Sequence, residues 1–204
     1  MNKILNEVSK YYTDKIQQFG TTPQGVDWNS TDSQELRFEI LSNVIPQDEK
    51  FSILDFGCGF GSMLDYFDKK YNSFKYVGFD VSEEMVHAAL EKFSTKEYAK
   101  WTTSLPEENV DYVIASGIFN VKLENNNEDW LNYILETLHK IDASSTKGFS
   151  FNVLTKYSDS EYMKDYLYYA DPLFLFDYCK THFSKNVALL HDYNLYEFSI
   201  LVRK

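Results

Sequence analysis

The hydrophobic pattern of the chain changes near residue 50. Beyond that point, short apolar runs rich in β-branched and aromatic residues alternate with segments of helical length, and four of these runs read FSILDF, FKYVGFD, VDYVIAS and GFSFNVL. Such runs are typical of buried strands, and their alternation with helices predicts a parallel sheet covered on both faces. We expect helices at 62–70, 82–93 and 127–141, and one or two shorter ones between 160 and 182.

The two ends of the chain follow different patterns. Apolar residues recur at helical spacing over residues 4–19, and a second helical pattern begins at Thr31, with Gln34 three residues later in a capping-box arrangement. This second pattern stops before Pro46, which disfavours a helical residue in front of it. The last two apolar runs, NVALLHD and YEFSILVRK, are close enough along the chain to predict an antiparallel hairpin.

These patterns predict an α/β fold in a single domain over residues 1–204. Residues 1–46 form an N-terminal helical cap in this prediction, and residues 47–204 form the α/β core. With 204 residues, of which 44% are apolar, the chain can fill a core of ordinary size.

Charge and composition narrow the class of partner. The chain has 31 acidic and 20 basic residues, and the net charge of −11 argues against nucleic acid or an anionic membrane and favours a small molecule. No apolar run approaches the roughly 18 residues of a membrane helix, and the N-terminus lacks a secretory apolar segment. Cys58 and Cys179 are distant along the chain, so we expect a reducing, cytoplasmic location. No metal-ligand spacing appears among the cysteines and histidines.

A glycine-rich loop follows the first predicted strand. In ILDFGCGFGSML, Gly57, Gly59 and Gly61 stand at alternate positions between that strand and the next helix. Glycine admits positive φ and lets a ligand approach the backbone, and a helix N-terminus offers free N–H groups to a negative group. Because open α/β folds bind ligands at this edge of the sheet, we interpret the loop as a cradle for a nucleoside-bearing cofactor. The alternative is a plain turn.

Asp80 ends the second predicted strand. At this position an acidic side chain can accept hydrogen bonds from both hydroxyls of a ribose. The alternative for Asp80 is to cap the helix that begins near Ser82.

The acid-x-G-x-G-x-G pattern that starts at Asp55, the acid at Asp80 and the terminal hairpin together resemble the class I S-adenosylmethionine-dependent methyltransferases. The resemblance covers residues 50–204. It implies a Rossmann-like seven-stranded sheet with an antiparallel last strand, and S-adenosylmethionine as the cofactor. Two alternatives stay open: an NAD-dependent oxidoreductase, although dinucleotide enzymes favour G-x-G-x-x-G, and a cofactor-binding module without turnover.

The resemblance also implies roles for individual residues in cofactor binding. Asp55 and the backbone of Gly57 would face the methionine end, in the cradle that includes Gly59, and Asp80 would bind the ribose. The remaining expected contacts are Val81 and Met85 beside the adenine, Trp101 and Thr102 where family members often place an acid for the adenine amino group, and Ser116 and Gly117 at the methionyl amino group.

The cap contributes two further candidates. Several small-molecule methyltransferases of this superfamily close the site with an N-terminal helical cap in which a Trp and an Arg contact the cofactor. Trp28 and Arg37 are the corresponding residues here, and an Arg can bind the methionyl carboxylate bidentately. The alternatives are core packing for Trp28 and a solvated helix position for Arg37.

Three residues are candidates for catalysis. Asn120 would approach the transferable methyl group. His191 and Asp192 end the sixth predicted strand, where a histidine that titrates near neutrality suits a general base. A base is needed only if the acceptor carries a proton that must leave, and the alternative for His191 is a structural hydrogen bond.

The segments YYTDKIQQFG, GVDWNS, ASGIFN and HDYNLYEF are similar to a narrower group of methyltransferases, those encoded among bacterial surface-polysaccharide (capsule) genes. This second resemblance implies O-methylation of a small polar acceptor, either a nucleotide sugar or a phosphoramidate intermediate.

Overall fold

A seven-stranded mixed sheet forms the centre of the molecule. The computed structural model describes residues 3–26, 30–47 and 50–204. The strands are β1 (Phe51–Phe56), β2 (Phe74–Phe79), β3 (Ala99–Thr102), β4 (Val110–Ala115), β5 (Ser145–Leu154), β6 (Asn186–Leu190) and β7 (Glu197–Arg203). Their order across the sheet is β3-β2-β1-β4-β5-β7-β6.

The pairing of the strands confirms the predicted Rossmann-like architecture. The strands β3, β2, β1, β4 and β5 are parallel to their neighbours, whereas β7 runs antiparallel to both β5 and β6. The terminal hairpin therefore inserts β7 between β5 and β6 and leaves β6 at the edge of the sheet. The strand order reverses between β1 and β4, and the carboxyl ends of strands at such a point form the ligand crevice of open α/β sheets.

In the described ranges, six helices surround the sheet, and each predicted helix is present. They are α1 (Lys3–Phe19), α2 (Thr31–Ser42), α3 (Ser62–Lys70), α4 (Glu83–Lys92), α5 (Asn127–Ser144) and α6 (Pro172–His182), with short 3₁₀ turns at Pro23–Val26 and Ser160–Tyr162. None of the helices in the described ranges is both long and apolar enough to cross a membrane.

The N-cap of α2 differs from the prediction by one residue. Ser30, rather than Thr31, has the extended backbone of a cap, with φ −157° and ψ 160°. Its Oγ accepts a hydrogen bond from the N–H of Ser33 at 3.2 Å. Thr31 is already helical, so its side chain does not cap the helix.

The apolar core lies in two large clusters, one on each face of the sheet. The neighbours Ile53 and Leu54 of β1 belong to different clusters, because successive side chains of a strand point to opposite faces. Helix α1 contributes Ile4 to the cluster under α5, whereas α2 contributes Phe38 and Leu41 to the cluster under α3. The two N-terminal helices therefore pack against opposite faces and supply part of the core.

Candidate active site

The loop between β1 and α3 is built from glycines in the left-handed region of backbone space. The φ angle is +83° at Gly57, +53° at Gly59 and +85° at Gly61. A Cβ at Gly57 would lie 2.3 Å from Cγ2 of Ile118, and one at Gly61 would lie 2.5 Å from the ring of Trp101. Both the backbone conformation and the close packing require glycine here, which is more than a plain turn demands.

The same loop is tied to the end of β2. The N–H groups of Gly57 and Cys58 donate to the carbonyl of Phe79 at 2.7 and 3.0 Å, and the N–H of Gly59 donates to the carboxylate of Asp80 at 2.9 Å. These bonds hold the loop at the carboxyl end of β1, next to the point where the strand order reverses.

Asp80 is buried, and each of its carboxylate oxygens accepts a hydrogen bond from a backbone N–H. Oδ2 accepts from Gly59 and Oδ1 from Ser82, both at 2.9 Å. Burial raises the pKa of Asp80, and the N–H donors oppose the shift. The cap of α4 is Ser82, whose Oγ accepts the N–H of Met85 at 3.3 Å. An ionised carboxylate has about four lone-pair sites, so Asp80 retains acceptors for two ligand hydroxyls.

Asp55 is the second buried acid of this site. It is 2% exposed, and the hydroxyl of Tyr76 on β2 donates a hydrogen bond to it. Burial raises the pKa of Asp55 to about 7; the Tyr76 hydrogen bond lowers it and the negative charge of Asp80 raises it further. Two buried carboxyl groups on neighbouring strands favour a ligand that carries positive charge.

A cavity of about 320 Å³ lies against the loop and both acids. Leu5 and Val8 of α1 and Gln34 and Phe38 of α2 line its other side. The hydroxyl of Ser116, which follows β4, is buried without a hydrogen-bond partner among the described residues. A polar atom of this kind at a cavity wall fits a site that binds a polar ligand.

Eight of the predicted cofactor residues line this one cavity. They come from the ends of β1, β2 and β4 and from the first turn of α4: Asp55, Gly57, Gly59, Asp80, Val81, Met85, Ser116 and Gly117. Among residues 3–26, 30–47 and 50–204, no three histidine, cysteine or acidic side chains are placed to hold a metal ion.

Trp101 and Thr102 are not among the described residues that line the cavity. Trp101 pairs with Gly78 across β3 and β2, and its indole covers that glycine and stacks on Phe93 with ring centroids 5.4 Å apart. The hydroxyl of Thr102 closes a local turn with the residues that follow it. Leu105, a few residues farther along, does line the cavity.

The three predicted catalytic residues are also not among the described lining residues. Asn120 is buried, and its Oδ1 accepts the N–H of Leu154 at 3.1 Å, so it joins the loop after β4 to the end of β5. His191 and Asp192 are exposed and follow β6 at the outer edge of the sheet, where β7 and β5 separate them from β4. The predicted position beside the crevice is therefore wrong. Both residues follow the carboxyl end of β6, as predicted, but the insertion of β7 between β5 and β6 places them farther from the crevice.

Of the two cap residues predicted to contact the cofactor, Arg37 is described by the structure and Trp28 is not. Arg37 is 9% exposed, so the alternative of a solvated helix position is wrong. Its Nε donates to Glu197 on β7 and its Nη1 donates to the carbonyl of Ser33, both at 2.8 Å. It pairs with β7 and is not among the described side chains that line the cavity. Trp28 lies outside the described residues.

Several residues on helices that line the cavity were not predicted from the sequence. Tyr133 and Thr137 of α5 and Tyr12 of α1 all line the cavity, and burial raises the pKa of Tyr133 to about 12. Their helical spacing indicated a packed face, but periodicity alone does not distinguish packing against a neighbour from packing around a ligand.

The chain is similar to known methyltransferases in sequence. Residues 54–148 match a family described as a methyltransferase domain. The chain is 50% identical over 162 residues to "Putative methyltransferase Rv1506c" of Mycobacterium tuberculosis (strain ATCC 25618 / H37Rv), a match that covers 79% of this chain and 98% of that protein.

Solved structures show the same fold at low identity. Magnesium protoporphyrin IX methyltransferase from Synechocystis PCC 6803, solved with bound S-adenosylmethionine (SAM), has a TM-score of 0.67 at 14% identity, with 100% of this chain and 99% of that chain covered. A DhpI–SAM–HEP complex has a TM-score of 0.69 at 12% identity and covers 100% of both chains.

The chain belongs to the class I SAM-dependent methyltransferases. It is a SAM-dependent methyltransferase, and this decides against the oxidoreductase and against a binding module without turnover. The glycine cradle, the two buried acids and the unpartnered Ser116 hydroxyl fit a cofactor with a ribose, a positive sulfonium and an amino-acid tail.

Proposed function

We propose that this methyltransferase O-methylates a small polar acceptor in the biosynthesis of a capsule or another surface polysaccharide. The acceptor is a nucleotide sugar or a phosphoramidate intermediate. The position of the N-terminal helices is the main support for a small acceptor, because side chains of α1 and α2 line the same cavity as the glycine loop.

The size of the cavity supports a small acceptor, because the same cavity must also hold the cofactor. Leu5, Val8 and Tyr12 of α1 line it together with the residues that follow β1 and β2, and its volume of about 320 Å³ is in the range of small-ligand sites. A polymer would need an open groove, and the net charge of −11 would repel a polyphosphate chain.

The chemical class and the setting of the acceptor rest on the sequence. The segments YYTDKIQQFG, GVDWNS, ASGIFN and HDYNLYEF are the basis for a role among surface-polysaccharide enzymes. Cys58 and Cys179 are both free and buried, which supports our proposal of a reducing, cytoplasmic compartment.

The residues of the cavity suggest how the cofactor is held. We assign the ribose hydroxyls to Asp80, the adenine to Val81, Met85 and Leu105, and the methionyl end to Asp55 and Ser116. The sulfonium of the cofactor supplies an activated methyl group, so the protein's main task is to orient the acceptor and exclude water. We propose one domain in which residues 1–46 form the cap that does this.

Isotope transfer tests this function. The protein is incubated with SAM labelled in its methyl group and a metabolite extract fractionated by anion exchange, and labelled products are sought by mass spectrometry. We expect a labelled O-methyl group in the nucleotide-sugar or phosphoramidate fraction. Asp80→Ala, which we expect to bind the cofactor weakly, is the matched control, and Ser82→Ala in the adjacent helix cap keeps the site. Label found only in protein, nucleic acid or an N-methyl product would contradict the proposal.

A further inference from the structure

A chain of buried hydrogen bonds joins α2 to the loop that follows β4. Nε of Arg37 donates to Oε2 of Glu197 at 2.8 Å, Nδ2 of Asn152 donates to Oε1 of Glu197 at 2.9 Å, and the N–H of Gly117 donates to Oδ1 of Asn152 at 2.7 Å. We call these four residues the relay. It crosses β7 and β5 and ends beside Ser116 at the cavity wall.

The members of the relay are removed from water. Glu197 is 1% exposed and Asn152 is 0% exposed. Buried polar groups of this kind are retained when they are fully hydrogen-bonded, because each lost bond exposes a desolvated group. Burial raises the pKa of Glu197, and the charge and hydrogen bond of Arg37 oppose the shift.

The chemistry of the relay determines which way the Asn152 amide faces. An ionised carboxylate is an acceptor only, so Glu197 selects the NH₂ end of the amide. The backbone N–H of Gly117 is a donor only, so it selects the oxygen end. Glu197, held by Arg37, thus sets the orientation in which Asn152 can accept from Gly117.

The backbone of Gly117 is left-handed, with φ +76°, and because glycine populates many backbone conformations, a hydrogen bond is needed to hold this one. The hydrogen bond from its N–H to Asn152 fixes the peptide plane between Ser116 and Gly117, and with it the direction in which the Ser116 side chain leaves the backbone. The unpartnered Ser116 hydroxyl is therefore positioned by a bond from β5 and not by one of its own.

We propose that Asn152, oriented by Glu197 and Arg37, is a positioning residue that presents the Ser116–Gly117 turn to the methionyl end of the cofactor. The inference rests on the assignment of that end to Ser116 under the proposed function. It does not depend on the acceptor, so a binding experiment without acceptor separates its failure from a failure of the acceptor assignment.

Two ligands distinguish positioning from general destabilisation. S-adenosylhomocysteine (SAH) carries the methionyl-derived tail, whereas 5′-methylthioadenosine contains the adenosine and sulfur but no amino-acid group. In Asn152→Ala we expect the affinity for SAH to fall about tenfold, as for the loss of a well-placed hydrogen bond, and the affinity for 5′-methylthioadenosine to stay within about twofold. Both affinities are measured by calorimetry on the full chain.

Ser150→Ala is the matched control for this variant. Ser150 lies two residues earlier on β5, is 0% exposed, and donates to the carbonyl of Leu41 in α2 at 2.8 Å. Its replacement removes a buried hydrogen bond between β5 and α2 without touching the loop after β4. We expect a lower melting temperature and an unchanged ratio of the two affinities.

Two substitutions that together move the acidic group of the relay from position 197 to position 152 give a sharper test. In Glu197→Gln, the amide oxygen stays with Arg37 and the NH₂ faces Asn152, which must turn its own oxygen toward it and its NH₂ toward the N–H of Gly117. We expect this isosteric change to weaken SAH binding about as much as Asn152→Ala. Adding Asn152→Asp returns an acceptor to both neighbours, and we expect SAH affinity to recover to within about threefold of the original protein.

The results have clear consequences. Selective loss of SAH affinity in the two single variants with recovery in the double variant supports the positioning role. Equal losses for both ligands, no loss for either, or a double variant that stays as weak as Glu197→Gln would overturn it.

Discussion

Asp55 lies on β1 and Asp80 directly follows the adjacent strand β2, and both are buried and line the same cavity. Burial raises the pKa of both, but their partners differ: Asp80 accepts hydrogen bonds from two backbone N–H groups, whereas Asp55 accepts one from the hydroxyl of Tyr76. The two N–H donors oppose the rise in the pKa of Asp80, whereas burial raises the pKa of Asp55 to about 7. The two acids should respond differently to substitution and to pH.

We expect Asp80→Ala to weaken SAM binding by about 1.5 to 3 kcal/mol, because charge-assisted hydrogen bonds to the ribose are lost. The variant should also melt at a lower temperature, since the N–H groups of Gly59 and Ser82 lose their acceptor. Calorimetry and thermal melting measure the two effects.

Ser82→Ala provides the comparison for Asp80→Ala. It removes the side-chain cap of α4, so we expect lower stability with unchanged cofactor affinity. If Asp80→Ala also keeps its affinity, Asp80 does not bind the ribose.

A second prediction concerns pH. A positive sulfonium favours the ionised form of Asp55, so SAM binding should release a proton and its affinity should rise between pH 6 and 8, by up to about tenfold. SAH lacks that charge and should respond less. Both ligands also carry an α-amino group whose own titration contributes to the pH dependence, so Asp55→Asn is the reference. Calorimetry across this range should show a steeper rise of the ratio of SAM to SAH affinity in the original protein than in Asp55→Asn; equal slopes would contradict the prediction.

The free protein should show the opposite trend in stability. The folded pKa of Asp55, about 7, lies above the unfolded value of 3.8. The contribution of this group to stability is therefore fully present below about pH 4 and is lost as pH rises through 7. The melting temperature of Asp55→Asn relative to the original protein should accordingly increase from pH 5 to pH 8.

At the scale of single residues, the sequence predicted backbone-defined positions better than side-chain directions. The glycine loop and Asp80 follow strands directly, and strand ends fix their place. Trp101 is not among the described residues that line the cavity because the pairing of β3 sets it over Gly78, a register that the sequence of one strand does not contain. The contact of Asn120 with the N–H of Leu154 was not predicted because the two residues are distant along the chain.

At the scale of elements, the alternating pattern predicted the helices after residue 50 and the strands on either side of the reversal point, and helical spacing predicted α1 and α2. It did not predict the lateral order of the last two strands. A hairpin can add either of its strands to the sheet, and in this protein β7 joins β5 while β6 forms the edge. That choice moves the residues after β6 away from the cavity, since three strand spacings separate β6 from β4, about 14 Å.

A third prediction follows for His191. Its side chain is exposed and packs against Tyr157 and Phe198, with ring centroids 6.1 and 6.0 Å away. We expect His191→Ala to keep both turnover and SAM affinity within about twofold, measured as SAH formed in the extract assay between pH 6 and 9. A fall of about 10²-fold with intact cofactor binding would instead identify a general base.

At the scale of the whole molecule, the N-terminal helices belong to the core as well as to the site. Ile4 and Val8 share an apolar cluster with Trp130 and Phe79. The hydroxyl of Ser9 donates to the carbonyl of Val81 at 3.1 Å, next to Asp80. The sequence predicted a helical cap, but amphipathic periodicity does not state which surface a helix covers, so the opposite placement of α1 and α2 emerged only from the structure.

The connection between α1 and α2 is the part of the cap best placed to respond to the cofactor. Gly20, Thr21 and Thr22 are exposed, while Val26 lines the cavity and lies close to Gly59. Segments with few buried contacts open with little free energy, and a ligand that contacts them raises the cost of opening. Bound cofactor should therefore protect this connection more than the helices on either side.

We expect limited proteolysis with chymotrypsin to cut after Phe19, where α1 ends and this connection begins, in the free protein and at least several-fold more slowly with SAH bound. Phe19 is 40% exposed, so only the backbone around it must open for the protease to cut. Tyr162, 58% exposed in the segment between β5 and α6, is the internal control, and its cleavage should not change. Fragments are identified by mass spectrometry over a time course. Equal cutting at Phe19 with and without SAH would make the cap a permanent wall of the site.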